Sequence, residues 1–92
     1  MLGKQVLYKL SSNDAEVINR RRVNSIVTSD VTWPKEAQVH FGNEALEGQV
    51  YPGVIVREWS DTYNLQIFLD GNDIYWATSR NIGYEPGQFR LA

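Results

Sequence analysis

The alternation of apolar and polar residues predicts one helix and several short strands in this chain. Residues 5–10 (QVLYKL) have the pattern of a first strand. The next residues, SSND, offer three side chains that can cap a helix, and Asp14 suits the positive end of the helix dipole. Apolar residues then recur at helical spacing as far as Asn24, beyond which β-branched residues favour the helix less.

After Trp33-Pro34 the pattern changes to that of strands, since the residue before proline avoids the helical region. Residues 37–41 (AQVHF) alternate strictly and predict a strand that ends at Gly42-Asn43. The remaining predicted strands are residues 50–59, 64–69 and 73–79, followed by a short one near the C-terminus.

The clearest predicted element is a hairpin around Gly71-Asn72, which suits a two-residue type II′ turn. In that register Phe68 lies opposite Tyr75 and Ile67 lies opposite Trp76, and opposed residues share a face. The residues predicted to face the core are Leu65, Ile67, Leu69, Ile74, Trp76 and Thr78. The other face is then aromatic and polar.

Asp70 and Asp73 flank the predicted turn, and four interpretations of them are open. Two opposed carboxylates could hold a divalent cation or share a proton, or they could receive an arginine. Aspartates are also common beside turns, where they bond local backbone amides, and we favour this last interpretation. Neither residue is assigned to a metal site.

These elements predict an α+β fold in a single domain, residues 1–92. One N-terminal helix would accompany a small, strongly bent antiparallel sheet of about five strands, an SH3-like small barrel. A chain of 92 residues buries a thin core, so we expect a homo-oligomer, in which clefts can form between subunits.

Composition argues against several classes of function but does not identify one. The net charge of −2 makes a nucleic-acid partner unlikely, and the absence of cysteine excludes zinc–thiolate sites and thiol catalysis. With His40 as the single histidine and no cysteine, neither a catalytic triad nor a zinc site can be built, so we expect a protein without enzymatic activity or cofactor. The start of the chain is too polar for a membrane span, which favours a soluble, intracellular protein.

Arginines and aromatic side chains offer the best candidate for ligand binding. Arg21 or Arg22 could hold a phosphate, alone or with Arg57 or Arg80, although cations also suit a solvated helix end. On the non-core face of the hairpin, an aromatic pair with amides beside it suits stacking on a nucleobase, unless that face packs on the helix or a second subunit. The candidate ligand-binding residues are Arg21, Arg22, Arg57, Asn64, Gln66, Phe68, Tyr75 and Arg80.

The chain resembles a group of small uncharacterised proteins of tailed bacteriophages. The resemblance runs through VLYKLSSNDAEVINRRR, WPKEAQVHFGN, GQVYPGVIVREW and IFLDGNDIYWATS, where the group shares DAE-INRRR, WP followed by AQ-H-GN, IVR-W and FLDGND--W-TS blocks. Leu65 stands where many members have glycine. The resemblance implies a phage origin and an accessory, regulatory or counter-defence role in the host cytoplasm, with no activity carried over.

Two functions from different classes therefore remain. The leading hypothesis is a non-enzymatic phage accessory protein that binds a small nucleotide-like ligand and so sequesters a host immune signal. The alternative is a protein-interaction module, either a phage structural adaptor or an inhibitor of a host protein, which would use the same sheet for strand addition.

Overall fold

A computed structural model describes residues 1–29, 44–71 and 73–92, with the backbone alone for residues 23–29. The elements in chain order are β1 (Gln5–Lys9), α1 (Ser12–Ser29), β2 (Val50–Glu58), β3 (Tyr63–Phe68), β4 (Ile74–Arg80) and β5 (Phe89–Leu91). The predicted strand at residues 37–41, with His40, lies outside the described residues. The helix continues past Asn24, where its sequence favours it less, and ends at Ser29.

The α+β prediction is confirmed, but the sheet is not a closed barrel. Its five antiparallel strands follow the order β4-β3-β2-β1-β5, so β4 and β5 form its two edges. An isolated bridge between Ile82 and Phe89 brings the segment after β4 towards β5 without continuing as a ladder. The chain turns away at that point, which leaves the sheet open.

The sheet is nevertheless strongly bent. The rings of Tyr63 in β3 and Phe89 in β5 meet edge to face, with their centroids 5.5 Å apart. These strands are three spacings apart in the sheet order, which would separate them by about 14 Å in a flat sheet. The curvature brings the inward side chains of distant strands together.

The concave side of the sheet and the first turns of α1 enclose one hydrophobic cluster. Alternate residues of the strands point into it, among them Tyr8, Ile55 and Phe89. From α1, Asp14, Ile18 and the side chain of Arg22 are buried. Because these three are spaced four residues apart, they form one row along the helix, with a charged group at each end and isoleucine between them.

The predicted hairpin register is wrong by one residue. Phe68 lies opposite Ile74, and Ile67 lies opposite Tyr75, because the connection between the strands is longer than a two-residue turn. A slip of one residue turns a whole strand over. Tyr75 and Ala77 therefore face the core, whereas Trp76, predicted to be a core residue, is 59% exposed.

No helix in the described part of the chain has the length and apolar content needed to cross a bilayer.

Gly53 provides a test of the packing between β2 and β3. A Cβ atom at this position would lie 2.5 Å from the backbone oxygen of Gln66 and 2.8 Å from Cδ1 of Ile67. We expect Gly53→Ala to lower the free energy of unfolding by about 2 kcal/mol, since the strands must move apart. Val54→Ala, at the next residue, removes a half-buried side chain without a clash and should cost less in the same urea titration. Equal losses in the two variants would contradict this packing.

Candidate functional site

The first turn of α1 is closed by a reciprocal pair of hydrogen bonds between Ser11 and Asp14. The backbone nitrogen of Asp14 donates to Ser11 Oγ at 3.0 Å, and the backbone nitrogen of Ser11 donates to Asp14 Oδ2 at 2.9 Å. This is the capping-box arrangement, with aspartate at the return position. It fixes the Asp14 carboxylate at the start of the helix.

The same carboxylate is completely buried and accepts hydrogen bonds from the sheet. Tyr8 donates its hydroxyl to Oδ2, Tyr75 donates its hydroxyl to Oδ1 at 2.6 Å, and Arg80 Nη2 donates to Oδ1 at 2.9 Å. With the Ser11 amide, four donors meet the roughly four lone-pair positions of a carboxylate. We call Tyr8, Asp14, Tyr75 and Arg80 the Asp14 cluster.

The pKa values in the Asp14 cluster follow from this geometry. Burial alone would raise the pKa of Asp14, but hydrogen bonds from Tyr75, Tyr8 and the Ser11 amide, together with the charge of Arg80, hold it below the usual value. Burial and the bond to Asp14 raise the pKa of Tyr75 to about 12, and the same causes raise that of Tyr8 further. The cluster is therefore an ionised carboxylate held by neutral phenols and one cation.

A second ion pair joins the helix to the hairpin loop. Arg22 donates from Nε and Nη2 to the two carboxylate oxygens of Asp73 at 3.1 and 3.0 Å, and Arg21 Nη2 reaches Asp73 Oδ2 at 3.1 Å. Arg22 also donates to the backbone oxygen of Asp70 at 3.2 Å. Burial works against ionisation of Asp73, but the two arginines hold its pKa below the usual value.

For Asp73 the structure supports the interpretation in which the carboxylate receives an arginine, whereas the sequence favours bonds to local backbone amides. The Asp73 carboxylate accepts hydrogen bonds from Arg21 and Arg22. Asp70 and Asp73 are not opposed across the strands, because both lie in the loop between β3 and β4.

The eight candidate ligand-binding residues fall into two groups rather than one site. Arg21 and Arg22 bind Asp73, while Tyr75 and Arg80 bind Asp14, all on the helix side of the sheet. The remaining candidates, Arg57, Asn64, Gln66 and Phe68, project from the opposite side of β2 and β3.

That opposite side, which we call the outer face, carries exposed aromatic residues. Its strand residues are Val54, Arg57, Asn64, Gln66, Phe68, Ile74 and Trp76. Gln66 lies opposite Trp76, and Phe68 lies opposite Ile74 in the next row. Phe68 is 45% exposed and Trp76 59% exposed, so both rings have free surface for a ligand.

Around Asn64 the outer face has an irregular backbone. Register shifts occur between Ile55 and Arg57 in β2, and between Tyr63 and Leu65 opposite β4, so bulges flank Asn64 on both sides. In the second bulge Ser79 adopts a positive φ of 56°, which is unfavourable for a residue other than glycine.

The Asn64 side chain holds this irregular region together. Its Oδ1 accepts hydrogen bonds from Trp59 Nε1 at 3.0 Å and from the backbone nitrogen of Ser79 at 2.9 Å. The guanidinium of Arg57 lies over the Trp59 ring, with Cζ 4.4 Å from the centroid. We call Arg57, Trp59, Asn64 and Ser79 the Asn64 cluster.

Sequence reasoning missed the roles of Asp14, Tyr8, Trp59 and Ser79. The Ser-x-x-Asp spacing at residues 11–14 predicts a capping box, but it does not show that the carboxylate is buried beneath the sheet. Trp76 faces the core only in the predicted register, which is wrong by one residue. A positive φ at a serine has no sequence signal of its own.

In residues 1–29, 44–71 and 73–92, no group of three or more His, Asp or Glu side chains is placed to hold a metal ion.

Comparison of the chain with protein-family models, with curated proteins and with solved structures found no match. Its function is therefore inferred from the geometry of its own side chains.

The Asp14 cluster predicts acid sensitivity. Because the pKa of Asp14 is lower in the folded state, its stabilisation is complete above the unfolded value of about 3.9 and is lost as the pH falls through the folded value. We expect Asp14→Asn to lower the free energy of unfolding at pH 7 by about 3 kcal/mol, since Arg80 loses its partner. Its loss of stability between pH 5 and 2, measured by urea titration, should be shallower than that of the wild type.

Asp73→Asn is the matched control for that experiment. It also removes a carboxylate of lowered pKa, but one that is partly exposed, so its effect at pH 7 should be smaller. A wild-type pH dependence in the Asp14→Asn variant would contradict the role given to the buried carboxylate.

Strain at Ser79 predicts a stabilising substitution. Glycine adopts a positive φ without the cost that a β-carbon brings, so Ser79→Gly should raise the free energy of unfolding by about 0.5–1 kcal/mol. Ser79→Ala keeps the strain and should not be stabilised. Thermal and urea unfolding would measure both, and a less stable glycine variant would show that φ is not the constraint at this position.

Proposed function

We propose that the protein is a non-enzymatic binding protein that takes a nucleotide-like ligand on its outer face. One observation carries the proposal: an exposed arginine, Arg57, is stacked on Trp59 beside a face on which Phe68 and Trp76 are also exposed. Aromatic rings of this kind stack on nucleobases, and a guanidinium suits phosphate.

The charge on the outer face supports a ligand with an anionic group. Arg57 is the charged residue among those that define this face, and it makes no ion pair within the described part of the chain. Arg22 and Arg80, in contrast, are used by buried or half-buried carboxylates on the helix side. An anion is thus attracted to the outer face more than to the arginines of the core.

The resemblance to phage proteins adds a biological role to this proposal. A phage protein that binds nucleotides without converting them can sequester a host immune signal in the host cytoplasm. We further propose a homo-oligomer, because an open sheet gains depth as a binding site when a second subunit forms the opposite wall.

The alternative is a protein-interaction module, and a different observation favours it. Phe68, Ile74 and Trp76 form a contiguous apolar surface, and protein interfaces are enriched in aromatic residues and arginine while Lys, Asp and Glu are depleted. The partner that fits is an apolar protein surface with a carboxylate placed to meet Arg57.

Thermal unfolding with a panel of mono-, di- and cyclic nucleotides tests the proposal. A ligand at a hundred times its dissociation constant should raise the Tm by about 10 °C or more. Trp76→Ala or Phe68→Ala should weaken binding about five- to hundredfold by calorimetry, because a stacking surface is lost. Tyr84→Ala, which removes an exposed aromatic ring outside this face, is the matched control and should leave the affinity unchanged.

The alternative makes a different prediction for the same panel. Without any shift of the Tm the nucleotide proposal fails, and the protein-interaction module becomes the better account. If a nucleotide does bind, Ile74→Ser distinguishes the two functions. The substitution should leave nucleotide binding unchanged, because stacking on Trp76 does not depend on Ile74, but it should weaken an apolar contact with a protein partner.

A further inference from the structure

We infer that the Asn64 cluster is the subsite for the phosphate group of the ligand. The inference names which end of the ligand binds there, and it rests on the proposed function only for the identity of the molecule that carries the phosphate. The geometry of the cluster itself supplies the evidence for an anion site.

The orientation of the Asn64 amide is fixed by its neighbours. Trp59 Nε1 and the backbone nitrogen of Ser79 are both N–H donors, so the atom that meets them must be the oxygen. Two bonds occupy the lone pairs of Oδ1. The amide therefore has no acceptor left and can offer only the two hydrogens of Nδ2.

Those hydrogens are available to a ligand. Asn64 is only 7% exposed, and its Nδ2 makes no hydrogen bond within the described residues. Among the described residues, the side-chain nitrogen that is both fully buried and without a hydrogen-bond partner is Arg80 Nε. Asn64 Nδ2 also has no partner, so it is not fully buried and must contact solvent. The side chain of Asn64 is thus largely buried, but its NH₂ group reaches the surface and has no hydrogen-bond partner among the described residues.

Arg57 adds further donors on the adjacent strand. It is paired directly with Asn64 in the β2–β3 register, so the two side chains leave the sheet side by side. Stacking on Trp59 restricts the guanidinium while leaving its edge free for two parallel hydrogen bonds.

Every free polar group described for this pair is therefore a donor. A bidentate pair between asparagine and adenine needs the amide oxygen as acceptor, and that oxygen is already occupied. The ligand group that fits is one with acceptors only and a negative charge. Phosphate has three or four such oxygens, and a carboxylate has two.

The neighbouring row of side chains favours phosphate over carboxylate. Asn64 and Gln66 are two residues apart along β3, a distance of about 7 Å. A phosphate held by the Asn64 cluster thus lies one row from the Gln66–Trp76 pair, where a base can stack. A carboxylate without an attached base would make no contact with the Gln66–Trp76 pair.

The strained backbone indicates that the arrangement is maintained at a cost. Ser79 keeps an unfavourable φ while donating its N–H to Asn64, and bulges on both sides displace the regular ladder. Strain of this kind is concentrated at binding sites, where it holds side chains in a required geometry.

Titration of the whole chain with sodium pyrophosphate, followed by ¹⁵N-correlated NMR, tests the subsite without a base. We expect saturable shifts of the Trp59 indole N–H and the Asn64 side-chain NH₂ resonances at millimolar concentration. Arg57→Gln should weaken this binding roughly tenfold or more, because charge-assisted bonds are lost. Arg90→Gln is the matched control, since Arg90 also lies over an aromatic ring, that of Tyr84, and it should bind as the wild type does.

Asn64→Asp tests the donors. It keeps an oxygen for Trp59 and Ser79 but replaces Nδ2 with a second acceptor, so pyrophosphate should no longer bind. Its fold is checked by the Trp59 indole resonance, and Arg57→Glu gives the same test at an exposed position if this variant does not fold.

The outcomes separate this inference from the proposed function. The subsite would be refuted if pyrophosphate shifted only resonances of other residues, or if Arg57→Gln bound pyrophosphate as tightly as the wild type. It would also be refuted if acetate caused shifts as large as those caused by pyrophosphate. Nucleotide binding that is unchanged in Arg57→Gln would refute the subsite and leave the nucleotide function in place. Pyrophosphate binding at the cluster without binding of any nucleotide would support the subsite and refute the nucleotide function.

Discussion

The buried carboxylate of Asp14 joins helix α1 to two strands that are not neighbours in the sheet. It closes the first turn of α1 and accepts hydrogen bonds from Tyr8 in β1 and from Tyr75 and Arg80 in β4. Strands β1 and β4 are three positions apart, so one acceptor can serve both only if the sheet bends around it. Complete pairing makes a buried charge tolerable, and the loss of any one donor leaves part of its desolvation cost uncompensated.

The division of charge between the two sides of the sheet follows from that constraint. On the helix side, Asp14 and Asp73 take up Arg80, Arg21 and Arg22, and these ion pairs hold the helix against the last hairpin. On the outer face, Arg57 is stacked on Trp59 and has no carboxylate partner in the described part of the chain. Arginines that look alike in the sequence are thus in different environments, some in ion pairs with carboxylates and one stacked on an aromatic ring.

The elements were largely predictable, whereas the pairing of the last hairpin was not. Apolar alternation located β1 to β4 within two residues or so, and the capping residues located the start of α1. The register depended on the loop, where Asp73 is drawn to two arginines about fifty residues earlier in the chain. A local turn rule cannot include such a contact, so it placed Tyr75 and Trp76 on the wrong sides.

The sequence by itself therefore determined the fold class, the order of elements and the alternation within each strand, because these depend on neighbouring residues. The tertiary structure alone decided which alternate set of β4 faces inward, since burial of the Tyr75 hydroxyl is favourable only where Asp14 accepts its hydrogen bond. It also placed Asn64 between Trp59 and Ser79, because bulges on two strands must meet before one amide can bridge them. Contacts between distant residues, and not local propensity, set the chemistry of both faces.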